Sequence, residues 1–118
     1  MTMELPLTIT AQDITLPDTI QATIREKAAK LERFYDRLIG CHVRIAGPSR
    51  HHRNGGLFDV RIDLSVPGSE LVVNHQAHEE LSVAIREAFA AARRRLDEHA
   101  RLHREERRVV EERGAAEA

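Results

Sequence analysis

The chain has 118 residues, 42% of them hydrophobic and 31% charged, a balance that fits one compact globular domain and excludes a disordered or fibrous chain. Its net charge is only −1, and its one cysteine, Cys41, excludes both a disulfide scaffold and a multi-cysteine zinc module. No apolar run approaches the ~20 residues of a spanning helix, and Met1-Thr2-Met3-Glu4 lacks the basic start of a secretion signal, so a cytoplasmic protein without a membrane partner is expected. The near-neutral sum hides a local excess, because nine basic residues against four acidic ones lie between Arg25 and Arg61. Phosphate recognition depends on local potential, so a basic face is compatible with the overall charge.

Alternating apolar and polar residues over Leu5-Pro6-Leu7-Thr8-Ile9-Thr10 predict a first strand. Thr15-Leu16-Pro17-Asp18 then carries helix-start signals: a hydroxyl able to cap, a first-turn proline and an acid at the positive helix end. Ile20, Ile24, Ala28, Leu31, Phe34 and Leu38 recur at steps of three and four, which predicts one apolar stripe on a helix running to about Arg37, with Phe34 in the core and Tyr35 at its rim. Gly40 supplies the stop. Cys41 to Ala46 and Leu57 to Val66 alternate again and read as strands two and three, the latter with Phe58, Val60, Ile62 and Leu64 on one face. Between them, Gly47 to Gly56 is a turn-rich loop whose Arg50-His51-His52-Arg53 centre makes it a candidate binding loop. Pro67-Gly68 marks a type II turn, and Glu70 to His75 reads as a fourth strand pairing back on the third. Leu81, Ile85, Ala88, Phe89, Ala92 and Leu96 form a second helical stripe starting near His78, on a long helix that continues past Arg101. After Arg104 the sequence turns mostly polar and reads as a frayed, solvated tail over residues 105–118, with residues 1–104 as the folded domain. The fold class is therefore α+β, ordered βαβββα: a four-stranded, antiparallel-rich sheet with two helices on one face and the other face wet, the layout of double-stranded-RNA-binding-domain-like folds.

The run Arg25-Glu26-Lys27-Ala28-Ala29-Lys30-Leu31-Glu32-Arg33-Phe34-Tyr35-Asp36-Arg37-Leu38 resembles the first helix of the ribosome hibernation-promoting factor and ribosome-associated inhibitor A family, also called the sigma-54 modulation protein family. Val83-Ala84-Ile85 with Arg93-Arg94-Arg95-Leu96 is similar to its second helix, and the resemblance extends from about Pro6 to Arg104. It implies a non-catalytic, cytoplasmic protein that binds the small ribosomal subunit through 16S rRNA in the decoding channel, with the whole 70S ribosome as a further partner, and silences translation under stress or in stationary phase. The chain resembles a short form, without the extra C-terminal dimerisation domain of the long members. The resemblance does not extend to the His51-His52-Arg53 loop.

The basic residues themselves admit two readings. At about 100° per residue, Lys30, Arg33 and Arg37 fall within about 60° of one another beside the apolar stripe, with Lys27 closer to it. Arg86, Arg93 and Arg104 share a flank of the second helix, with Arg94 and Arg101 further round towards solvent. If the helices lie side by side, these edges line a groove for ribosomal RNA, read by phosphate and shape. The candidate RNA-binding residues are Lys27, Lys30, Arg33, Arg37, Arg86, Arg93 and Arg94, with Arg50 and Arg53 as a weaker contribution from the loop. The plainer reading is a solvated charged face, in which Glu26, Glu32 and Asp36 pair with these cations at helical spacing. A second functional class is a protein-interaction module that uses an open sheet edge, for instance to modulate a sigma factor. The seven histidines form no zincin pattern, and the serines and glycines lie in no nucleophile elbow or phosphate loop. No metal, cofactor, small-molecule substrate or enzymatic activity is therefore expected.

Overall fold

The computed structural model describes residues 6–48, 56–74 and 77–117, with side chains as far as Glu111. The elements run β1 (Leu7–Gln12), α1 (Asp18–Phe34), β2 (Gly40–Ala46), β3 (Asp59–Val66), β4 (Ser69–Val73) and α2 (Leu81–Glu117). This is the βαβββα order the sequence predicts. The strands lie in the order β1-β2-β3-β4, with β1 parallel to β2 and the other neighbours antiparallel. A parallel first pair needs a crossover, and α1 is that crossover. The Arg50 to Arg53 loop and His75 lie outside the described residues.

Alternation in the strands becomes a two-sided sheet. Cys41, Val43, Ile45, Val60, Ile62, Leu64, Val66, Leu71 and Val73 are all buried under the helices. The register sets apolar against apolar across the ladders, Val43 opposite Ile62 and Leu64 opposite Leu71. The alternate residues form the open face, where Thr10 and His42 hydrogen-bond across β1 and β2 at 2.8 Å. Arg44 and Arg61 face each other directly on that side, an unfavourable like-charge pair. Asp63 offsets it by reaching both, at 3.6 Å to Arg44 and 3.1 Å to Arg61. Gly68, with φ +76°, supplies the left-handed residue that the Pro67-Gly68 turn requires.

The helix ends differ from the sequence expectation. Pro17 itself is the N-cap of α1, and its carbonyl accepts from the Ile20 and Gln21 N–H groups; no side chain caps the helix. At the other end α1 stops at Phe34, because Tyr35 turns extended (φ −134°, ψ 99°) while its N–H still bonds Leu31 O at 2.9 Å. That early stop overturns the core placement expected for Phe34 and leaves Tyr35 at the rim of the core, as expected. Phe34 is 38% exposed, whereas Tyr35 is half-buried and packs on the core. Phe58 also leaves the predicted β3 ladder and instead bridges to His78. The same bridge delays α2 to Leu81, with His78 Nδ1 accepting from the Glu80 N–H.

Ile24, Ala28 and Leu31 of α1 and Ala84, Ile85, Ala88, Phe89, Ala92 and Leu96 of α2 close the core. α2 continues as helix past Arg104 to Glu117, 37 residues in all, or about 55 Å. Residues 105–111 are nevertheless all exposed, as a solvated segment should be. Glutamate, arginine and alanine are good helix formers, so the segment stays helical without a core beneath it. The long helix stretches the molecule to 64 × 36 × 19 Å. Among the described residues, no helix is long and apolar enough to cross a membrane.

This packing makes two positions testable. Burial, helped by the nearby Asp63 charge, pushes the Cys41 thiol up to about 12 from its ordinary 9.0. The native protein should therefore resist alkylation at about pH 8 and react only once unfolded. The unfolded thiol ionises near its ordinary value while the native one stays protonated, so this contribution to stability is full below pH 9.0 and is lost as pH rises towards 12. Cys41→Ala should flatten that alkaline loss in denaturant titrations. At Gly47, a Cβ would meet Asp13 O at 2.6 Å and Ile14 Cβ at 2.9 Å. Because the blocking atom is backbone, Gly47→Ala should lower the unfolding free energy by about 1–3 kcal/mol in the same titration.

Candidate nucleic-acid interface

α1 and α2 run in the same direction across the sheet, so residues on their facing flanks advance in step. Three contacts mark the seam: the Arg93 guanidinium lies 4.4 Å from the Phe34 ring centroid, the Tyr35 ring meets His99 edge-on at 6.1 Å, and Arg37 donates to His103 Nε2 at 3.3 Å. His99 and His103 stack at 6.3 Å along α2. The cation–π contact, worth about 0.5–1 kcal/mol at an exposed site, holds Arg93 at the seam without neutralising it.

Helical spacing places the other cations relative to this seam. Lys27 and Lys30 precede Phe34 by seven and four residues, so they share its flank of α1. Arg86 precedes Arg93 by seven and shares its flank of α2. Lys27 is half-buried, while Lys30, Arg86 and Arg93 are exposed. The structure thus brings Lys27, Lys30, Arg86 and Arg93 to one seam, with Arg37 at its end. Arg37 arrives there by another route than the sequence implies: it lies beyond the end of α1, so the helical angle does not apply, and its position is set by His103. Arg33 lies further round α1 towards solvent, and Arg94 lies on the side of α2 away from the core. Both are exposed, but neither shares the seam. Arg50 and Arg53 lie outside the described residues.

The acid beside Lys30 does little to cancel its charge. Lys30 meets Glu26 at 3.6 Å, one helical turn back, with side chains 62% and 69% exposed, and such a pair contributes only about 0.3–0.5 kcal/mol. An incoming phosphate displaces such a partner at little cost. The arginines of the open sheet face are more tightly engaged, since Arg44 and Arg61 share the mostly buried Asp63. Sequence periodicity misses Phe34 as the exposed aromatic of the site, because its spacing matches the core stripe. The only signal against that placement is the Tyr35-Asp36 step, which departs from the stripe just after it. Among the described residues no cluster of metal-ligating side chains occurs.

Solved structures share this fold. The N-terminal domain of Protein Y from Thermus thermophilus matches with a TM-score of 0.59 at 21% identity, covering 77% of this chain and 92% of that domain. A ribosomal subunit interface protein from Coxiella burnetii matches with a TM-score of 0.67 at 12% identity, covering 81% of this chain and 98% of that protein. At such identities the likeness concerns the fold. Among curated proteins no significant sequence match was found. Sequence membership comes from a family profile, which matches residues 7–104 and so takes in β1 through the seam-forming part of α2. By that match the chain belongs to the sigma 54 modulation protein / S30EA ribosomal protein family.

Proposed function

We propose that the protein is a ribosome-associated translation inhibitor that binds the small subunit through 16S rRNA in the decoding channel, in the cytoplasm, under stress or in stationary phase. It acts by occupancy and has no catalytic step: it fills a site that translating ribosomes need. The observation that carries this reading is the seam between α1 and α2, where Lys27, Lys30, Arg86 and Arg93 collect beside an exposed aromatic in a member of this family. The ribosomal subunit interface protein that shares the fold supports the same assignment.

The mechanism follows from the chemistry of the seam. A-form RNA offers phosphates and 2′-hydroxyls rather than accessible major-groove base edges, so cations spaced along parallel helices read backbone shape. Arg93, fixed by Phe34, presents a guanidinium in a set orientation, which suits the paired oxygens of a phosphate. Lys27 and Lys30 contribute flexible point charges. Arg33, Arg37 and Arg94 widen the basic surface, and Arg50 and Arg53 add charge from the loop.

Co-sedimentation with purified small subunits over a salt series tests the proposal. Binding should weaken linearly in log affinity against log salt, and the Lys30→Ala, Arg33→Ala, Arg37→Ala variant should reduce the slope by about 2–3, close to one for each phosphate it no longer neutralises. Absence of pelleting at low salt would refute the proposal. Pelleting that salt leaves unchanged would favour an apolar protein contact at the open sheet edge instead.

A further inference from the structure

Arg37 reaches the end of the seam through a histidine, which makes its position conditional on charge. A guanidinium only donates, so the Arg37 contact at 3.3 Å needs a lone pair on His103 Nε2 and leaves the His103 proton on Nδ1. The contact therefore exists only while His103 is neutral. His99 stacks on His103 with the rings 16° from parallel and meets Tyr35 edge-on, so the ring that receives Arg37 is itself held in place. Both histidines are half-buried, ordered by their neighbours yet open to protons from solvent.

Protonation removes the acceptor and sets an imidazolium against a guanidinium at hydrogen-bond distance. Tyr35 and Arg37 face the two rings from the loop after α1. On α2, Arg95 lies one turn before His99, while Glu106 and Arg107 lie one turn beyond His103 and line a shallow groove with it. Glu106 is the acid of this set, and its spacing suits it to pair with the imidazolium once Arg37 leaves. We propose that His103 is a pH-dependent clasp on Arg37. Neutral His103 ties Arg37 down; protonated His103 releases it to phosphate and adds its own charge to the end of the seam. The grip on ribosomal RNA then tightens as pH falls through the histidine range, between about pH 8 and 5. That consequence rests on the seam being the RNA-binding surface, whereas the clasp itself needs no ligand.

Two measurements on the full chain keep these apart. Imidazole and guanidinium NMR spectra of the free protein should show His103 protonated on Nδ1 at about pH 7.5. As pH is lowered, the Arg37 guanidinium signals should change in step with His103 protonation, and His103→Gln, whose amide oxygen accepts from Arg37 without titrating, should abolish that change. A His103 proton on Nε2, or Arg37 signals that stay constant while His103 titrates, would overturn the clasp. In binding to purified small subunits at constant ionic strength, lowering pH from about 7.5 to about 6.0 should tighten wild type at least about threefold more than His103→Gln. Arg37→Ala should likewise cost at least about twofold more affinity at the lower pH. Equal tightening of wild type and His103→Gln, or an Arg37→Ala cost that does not change with pH, would overturn the regulatory role. No binding by any of these proteins at either pH, with the NMR signature intact, would refute the ribosome reading and its regulation and leave the clasp supported.

Discussion

Three alanines on α2, Ala84, Ala88 and Ala92, are fully buried, and they set how closely that helix approaches β3 and β4. Alanine fills the least space and has no rotamer freedom to lose, so it lets a helix backbone lie close over a sheet of larger residues. Ile62 and Leu64 from β3 and Leu71 from β4 complete the contact, all within 2% of full burial. α1 then lies beside a helix whose height is fixed, and the Phe34–Arg93, Tyr35–His99 and Arg37–His103 contacts come into register together. A bulkier residue at Ala88 would lift α2 from the sheet and, with it, Arg93 from Phe34. The basic seam is thus a consequence of core packing several ångströms below it.

The same core gives the molecule two unlike polar surfaces. On the helical side, cations sit at the edge of an apolar stripe with exposed, weakly held acidic partners. On the open strand side, cations are confronted across β2 and β3 and tied to one carboxylate, Asp63. A polyanion gains more from the first surface, where little existing interaction has to be given up. This asymmetry, rather than the whole-chain charge of −1, makes a nucleic-acid partner reasonable.

Much of this architecture is legible in the sequence because its signals are local. Period-two alternation in Cys41 to Ala46 and Val60 to Val66 identifies both strands and their buried faces, and the alanine-rich stripe identifies α2. The parallel pairing of β1 with β2 is not legible, since an alternating strand carries no mark of its neighbour. Periodicity misplaces Phe34 because it assumes that a helix continues, and here the helix ends at that residue, which frees the ring to turn towards α2. It places Arg37 by a helical angle that does not apply beyond Phe34, where a hydrogen bond to His103 across the fold holds the side chain instead. The segment after Arg104 reads as frayed because it lacks an apolar period, although its residues are good helix formers one by one.

If the helical seam, and not the open strand face, meets the ribosome, the two surfaces must respond differently to binding. Hydroxyl-radical footprinting of the protein bound to small subunits tests this, because each surface carries an exposed, oxidisable reporter: Phe34 at 38% and Val72 at 39% exposure. Binding should protect Phe34 and leave Val72 as reactive as in the free protein. Protection of Val72 with Phe34 unchanged would contradict the seam as the binding surface and move it to the strands.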